Sequence, residues 1–451
     1  MVSSDNSGIF DVLQKHAERF RRRVEEARIG WTGEGAAFRT DSVIVRLDES
    51  VRERLEQALR GEEFAVDENT KLGVARVRVQ RPMDALARLR EVGVEARPNY
   101  VYFAGPSFFG NPSFFGNPSF FGNPSFFGNP SFFGNPSFFG NPSFFGNPSY
   151  VGNPQVNTAT PGAEPIPAWP ERTERKQRPV VAVLDTGLET VDGKEPRHPV
   201  LKGHAIVHSP WTTGPDLTEA VDEDMLDVDG DGLLERVAGH GTFITGIVRK
   251  HAPDADIEVE GVLSSFGDGD DWHLAQIVTE LLGRTTPNVV NMSFGTYTED
   301  DTCPLAMGEA VRLLREKGAV VVASAGNDAT CRPAFPAAHP EVIAVGALDC
   351  HGPAWFTNHG PWVDACAPGV GVVSTFVFHD GPAGEACGAD PDRYDGWASW
   401  SGTSFAAPKV AAAIAREMVV SGIDADVAAH RVVFDRALFR VPELGTVVNL
   451  G

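Results

Sequence analysis

From Arg178 onward, short apolar runs alternate with amphipathic stretches. PVVAVLD (Pro179 to Asp185), ADIEVEGVL (Ala255 to Leu263), NVVNMSF (Asn288 to Phe294), AVVVASAG (Ala319 to Gly326) and EVIAVGAL (Glu341 to Leu348) are rich in β-branched residues. Such runs suit strands buried within a parallel sheet. Between them, His273 to Leu282 and Cys303 to Lys317 read as helices. The alternation predicts an α/β domain over 178–451, a parallel sheet flanked by helices on both faces.

Residues 41–104 follow a different rhythm. SVIVRL (Ser42 to Leu47) reads as a strand, Glu49 to Arg60 as a helix, and GVARVRVQ (Gly73 to Gln80) alternates with the period of a half-buried strand. PMDALARLREV opens with proline at a first-turn position and carries Leu86 and Leu89 on one face, and VEARPNYVYF closes as a strand. A β-α-β-(β)-α-β order predicts a small ferredoxin-like α+β module. Before it, residues 1–40 place Ile9, Phe10, Leu13, Phe20 and Val24 at helical spacing and predict an amphipathic helical extension.

Residues 105–154 are a low-complexity linker, in which PSFF recurs seven times at a period of six. Each unit carries Asn-Pro and Gly, which are turn formers. A turn-rich disordered tether, self-association through the Phe pairs, and cleavage after Phe-Phe-Gly all stay open. Residues 155–177 connect the linker to the α/β domain.

Composition adds boundaries. With 42% hydrophobic and 22% charged residues, the 451-residue chain has the make-up of a water-soluble globular protein with room for two or three domains. No uncharged apolar run approaches the roughly 18 residues that span a bilayer. The first residues lack the apolar core of a secretory signal, so the expected location is cytoplasmic, with secretion as the alternative. The net charge of −22 falls wholly beyond residue 154, because residues 1–104 carry equal numbers of acidic and basic groups and the linker carries none. Such a surface argues against nucleic acid and for basic peptides or cations. All five cysteines (Cys303, Cys331, Cys350, Cys366, Cys387) lie in the same part. In a reducing compartment most are expected as buried thiols; in an oxidising one Cys303 and Cys331 are the expected pair.

Three motifs carry chemistry. VAVLDTGLE ends a strand at Asp185 and enters a turn. GHGTFITGIV opens a helix at His240, with small residues on one face. SGTSFAAP puts Ser404 at the start of an Ala-rich helix, where backbone N–H groups and the helix dipole favour an anion. A carboxylate, an imidazole and a hydroxyl suffice for nucleophilic acyl transfer if they meet: an orienting group, a base and a nucleophile.

The order Asp, His, Ser and the flanking residues resemble subtilisin-type serine proteases, the subtilases (peptidase family S8). Phe405 stands where the family's SGTSMAAP has Met, and Phe243 where HGTH has its second histidine. The resemblance implies a serine endopeptidase acting on polypeptides through Asp185, His240 and Ser404, with Asn327 of ASAGN in the oxyanion hole. It implies no cofactor for bond breaking. The 41–104 module resembles the inhibitory propeptide of subtilases (inhibitor I9-like) in layout and position, which implies a zymogen with the chain's own N-terminal module as partner. The rival reading is a catalytically silent peptide-binding scaffold recruited or self-associated through the Phe-rich repeat.

By the same resemblance, SSFGDG (with Ser265, Phe266 and Gly267) and NMSFG (with Ser293, Phe294 and Gly295) form the two backbone edges that clamp an extended peptide, and Ser324, Ala325 and Gly326 line one pocket wall. Asp227, Asp229 and Asp231 follow the spacing of the first half of an EF-hand loop, but the twelfth position is Ala238. A structural Ca2+ site and a solvated acidic loop are the two readings.

Overall fold

The structure, a computed structural model, describes residues 22–33, 35–104, 149–150, 169–174, 177–191, 193, 195–207, 224, 226–228, 234–235, 237–380 and 393–450. The linker repeats, Cys387, Asp229 and Asp231 lie outside the described residues.

A sheet of nine strands organises the α/β domain. Its order is Ala205–Val207, Asp256–Gly261, Val180–Asp185, Val289–Met292, Val320–Ser324, Val342–Leu348, Ala365–Pro368, Gly445–Val447, Arg440–Val441. All neighbours pair in parallel except the last two. Alternation along each strand divides the core. Val181, Val183, Val320 and Val322 face helices His240–His251 and Thr403–Ser421, while Ala182, Leu184, Val321 and Ala323 face helices Asp271–Arg284 and Leu305–Glu316. Both faces are thus covered, as the apolar runs predict. The helix Thr403–Ser421 is buried from Thr403 through Ala415, because alanine after alanine lets it lie close against the sheet.

The helix Leu305–Glu316 has a cap that no local pattern reveals. The carboxylate of Asp271 accepts from the amides of Ala306 (3.0 Å) and Met307 (2.5 Å), two first-turn N–H groups without partners inside the helix.

The N-terminal module is an antiparallel sheet in the order Ala96–Ala104, Ala37–Arg46, Val74–Arg78, Ala65–Asn69, with helices Val51–Ala58 and Pro82–Glu91. The bracketed strand, expected after Gly73–Gln80, comes before it instead, as Ala65–Asn69. Part of the expected helical extension is strand instead: Ile29–Trp31 pairs with Ala37–Arg39, and only residues 22–26 are described as helix. Ile29 and Ala37 are buried with Val101 and Phe103, so these residues gain more from the sheet than from continuing a helix.

The sheet does not stop at the module. Ala96–Ala104 also pairs antiparallel with Asp268–Asp270 on one side and Phe294–Gly295 on the other, both from the α/β domain. Tyr102 anchors this junction. Its ring stacks on Phe294 at 4.4 Å between centroids, and its hydroxyl donates to the Val262 carbonyl at 3.1 Å. Burying such a side chain stabilises the contact by about 1.5–3 kcal/mol. Ile44, Leu72, Val74 and Ala104 of the module join the same apolar cluster.

Candidate active site

Asp185, Ser293 and Asn327 all stand at or just beyond the C-terminal ends of adjacent parallel strands, the usual place for a site in such a sheet. His240 is the first residue of its helix and Ser404 the second of its own. Close packing sets the His240 helix: a Cβ on Gly241 would overlap the carbonyl of Gly187, so only glycine lets the helix approach the turn after Asp185.

The imidazole and the carboxylate are both fully buried and bonded, His240 Nδ1 to Asp185 Oδ1 at 2.6 Å. Ionised Asp185 only accepts, so Nδ1 carries the proton and Nε2 of a neutral ring carries a lone pair. That Nε2 is buried and has no hydrogen-bond partner. Trp400 and Phe405 wall the ring, each with its centroid 5.3 Å away.

Ser404 Oγ donates to the Ser293 carbonyl at 3.3 Å, a long bond, rather than to His240. In return the Ser293 hydroxyl donates to the Ser404 carbonyl at 2.9 Å and accepts from the Asn291 amide at 2.9 Å. The oxygen of Asn327 accepts from both the backbone N–H and the hydroxyl of Thr403, each at 2.9 Å. Because the backbone N–H can only donate, this atom must be the oxygen, and the NH2 end lies near Gly402, 3.7 Å from where a Cβ would stand on it. Gly326 holds Asn327 there with φ of +103°, where a Cβ would overlap the Asn358 amide.

A model of the subtilase family matches residues 176–421. The chain belongs to the subtilase family. It is 31% identical over 246 residues to the thermophilic serine proteinase of Bacillus sp. (strain AK1), covering 51% of this chain and 50% of that protein. To subtilisin Savinase of Lederbergia lenta it is 30% identical over 247 residues, covering 52% of this chain and 74% of that protein. The chain thus spans about half the length of the first of these relatives. The fold resembles that of fervidolysin from Fervidobacterium pennivorans, a keratinolytic enzyme related to subtilisin, with a TM-score of 0.58 at 19% identity over 94% of this chain and 62% of that one.

Beside the site, this subtilase has a pocket lined by Ser324, Gly326, Asn327, Phe294 and Gly295 and bordered by Phe103 of the module. Two expectations need correcting. Ala325 turns away from the pocket into a separate cluster with Val363, Cys366 and Leu444, because the strand's alternation sends it to the other side. The first groove edge lies slightly later than Ser265–Gly267. Its paired residues are Asp268–Asp270, Gly267 contributes its carbonyl to the Ala104 amide at 2.8 Å, and the Ser265 hydroxyl turns inward to Asp224 at 3.3 Å. The other edge, Phe294–Gly295, is where the motif placed it.

Sequence reasoning missed Asp224. Its Oδ2 accepts from the Gly239 amide at 2.7 Å and the Thr186 hydroxyl at 2.8 Å, joining the residue before His240 to the residue after Asp185. Burial pushes its carboxyl up to about 7, against the hydrogen bonds from Thr186 and Gly239, which lower it, and with the charge of Asp185 adding to the rise. The only signal was the acidic loop of Asp227, Asp229 and Asp231, whose two readings were a Ca2+ site and a solvated loop. Of that proposed set only Asp227 is described, and no cluster of metal-ligating side chains is found among the described residues. Cys303 and Cys331 are free thiols, without the pairing expected of them in an oxidising compartment, and burial raises the Cys303 thiol well above its ordinary value.

Proposed function

We propose that the protein is a serine endopeptidase in which Ser404 is the nucleophile, His240 the base, Asp185 its orienting acid and Asn327 an oxyanion donor. The observation that carries this reading is the buried Asp185–His240 bond beside an imidazole Nε2 with no partner. A buried lone pair without a donor is rare in a native fold, and in this reading the Ser404 hydroxyl leaves its long bond to Ser293 to become that donor. Ser404 Oγ then attacks the scissile carbonyl carbon as Nε2 takes its proton. The oxyanion accepts from the Asn327 NH2 and from the N–H at the start of the Ser404 helix. Collapse breaks the C–N bond, and the leaving amine takes the proton from Nε2. Water, deprotonated by His240, attacks the acyl carbon, and the serine leaves with that proton.

The module is read as an inhibitory propeptide, because its last strand fills the position of an extended peptide between the two groove edges. Fluorophosphonate should label wild-type protein at Ser404 and leave Ser404→Ala unlabelled. Wild type should also shorten itself within 104–178, and Ser404→Ala should not. A wild-type chain that neither labels nor hydrolyses any polypeptide would sink the reading.

A further inference from the structure

Two carboxylates stand on the groove edge, and neither is used by the chemistry above. Asp268 and Asp270 are on the strand that pairs with Ala96–Ala104, opposite Phe103 and Val101. Asp268 is 3% exposed. Its two cationic partners, Arg23 and Arg39, come from the N-terminal part of the chain. Arg23 Nε and Nη2 reach its two oxygens at 2.8 and 3.1 Å, Arg39 Nη2 reaches it at 3.2 Å, and the Ser264 hydroxyl donates to it at 2.7 Å. Arg39 Nε binds Asp270 at 2.9 Å, and Arg39 Nη1 the Ala27 carbonyl at 2.6 Å. Arg23 also lies over the Phe266 ring at 5.0 Å.

The strand in the groove therefore presents apolar side chains to these acids, and two guanidinium groups reach across to neutralise them. Asp270 also caps the helix Asp271–Arg284, its carboxylate accepting from the His273 amide at 3.0 Å, but backbone pairing of a peptide needs no acid at Asp268, and burying a carboxylate is costly unless it is paired. Once the module leaves, the acids lose both cations and border the bound strand. Residues directly opposite in an antiparallel pair lie about 4.5–5.5 Å apart, within reach of lysine or arginine.

We propose that Asp268 and Asp270 make the groove select peptides with lysine or arginine at the two positions facing them, and that Arg23 and Arg39 occupy those acids until the module departs. The inference rests on the proteolytic reading above. Gly295 faces Phe103 and Phe294 faces Ala104, so in a substrate of the same register the residue opposite Ser293 comes next to Ser404. The selected positions then lie two and four residues before that one.

The test uses the full-length protein after self-processing, with matched peptides carrying Lys or Glu at those positions. Wild type should prefer Lys over Glu by about 10-fold or more in kcat/KM. Asp268→Asn with Asp270→Asn should bring the ratio near unity, and Asp268→Glu with Asp270→Glu should restore it. The ratio does not depend on how much of a variant folds; if the paired Asn variant yields no activity, Asp270→Asn alone should lower it. Equal cleavage by wild type, or a preference that survives the Asn changes, overturns the inference and leaves the protease reading standing. No cleavage above that of Ser404→Ala overturns both.

Discussion

The Ser293 hydroxyl donates to the Ser404 carbonyl at 2.9 Å, and it does so because Pro408 cannot. In a regular helix that carbonyl receives the N–H four residues on, which proline lacks. A side chain from the groove edge thus completes the helix that carries Ser404. Ser293→Ala should leave the Ser404 carbonyl and the Asn291 amide without their partner. Chemical denaturation should show a loss of about 1–3 kcal/mol, with kcat falling more than KM rises. Unchanged stability would mean that water replaces the hydroxyl.

Asp224 ties the Asp185 turn to the His240 helix. Asp224→Asn keeps an acceptor for Gly239 and Thr186 and should retain activity within a few-fold, whereas Asp224→Ala should lower kcat about 10-fold or more by loosening His240, the proposed base. Stability against pH separates the two states of the acid. Its folded value is about 7 against an ordinary 3.8, so between those values the folded protein holds a proton that the unfolded chain has released. This contribution is full below pH 3.8 and is lost as pH rises through 7. Denaturation midpoints of wild type should fall across that window relative to Asp224→Asn; parallel profiles would exclude a protonated Asp224.

Asn327→Ala removes the proposed oxyanion donor and the acceptor of two Thr403 bonds. Steady-state kinetics should show kcat reduced about 10²- to 10³-fold with little change in KM. A KM effect alone would place Asn327 in binding rather than in the oxyanion hole.

Arg23→Ala with Arg39→Ala leaves Asp268 buried without its cations. Breaking such a pair typically costs about 3–5 kcal/mol, so the module should detach more readily. Amide exchange across residues 96–104 should speed up, and self-shortening with it. Burial opposes ionisation of Asp268, but the charges of Arg23 and then Arg39 outweigh it and hold the carboxyl below its ordinary range. The linkage is full above the ordinary value of 3.8 and lost as pH falls through the depressed one, so the contact should hold at pH 5 and weaken only in strong acid. Exchange unaltered in the double variant would show that apolar contacts around Tyr102 suffice.

Much of the site was legible in the chain. Gly-His-Gly, Asp-Thr-Gly and Gly-Thr-Ser are local signals: a strand end, a helix start and the small residues that let each approach its neighbours. Apolar runs located the central parallel strands, including Val180–Asp185 and Val320–Ser324, because a strand covered on both faces buries nearly every residue. Ala325 was misplaced because a motif match does not state which face of the chain a residue turns to. Ile29–Trp31 was misread because the helical spacing ends at Val24 and was carried on to residue 40, whereas these residues pair as a strand with Ala37–Arg39.

The sequence by itself determined which side chains bring chemistry, in what order, and on which kind of element each sits. Only the tertiary structure decided what meets what: Asp224 with Gly239, Ser293 with the carbonyl that Pro408 leaves unserved, and Arg23 with Asp268, 245 positions away. The reason is physical. Propensity and periodicity act over a turn or a strand, whereas hydrogen bonds and charges are satisfied by whatever the folded chain brings within about 3 Å, at any separation in sequence.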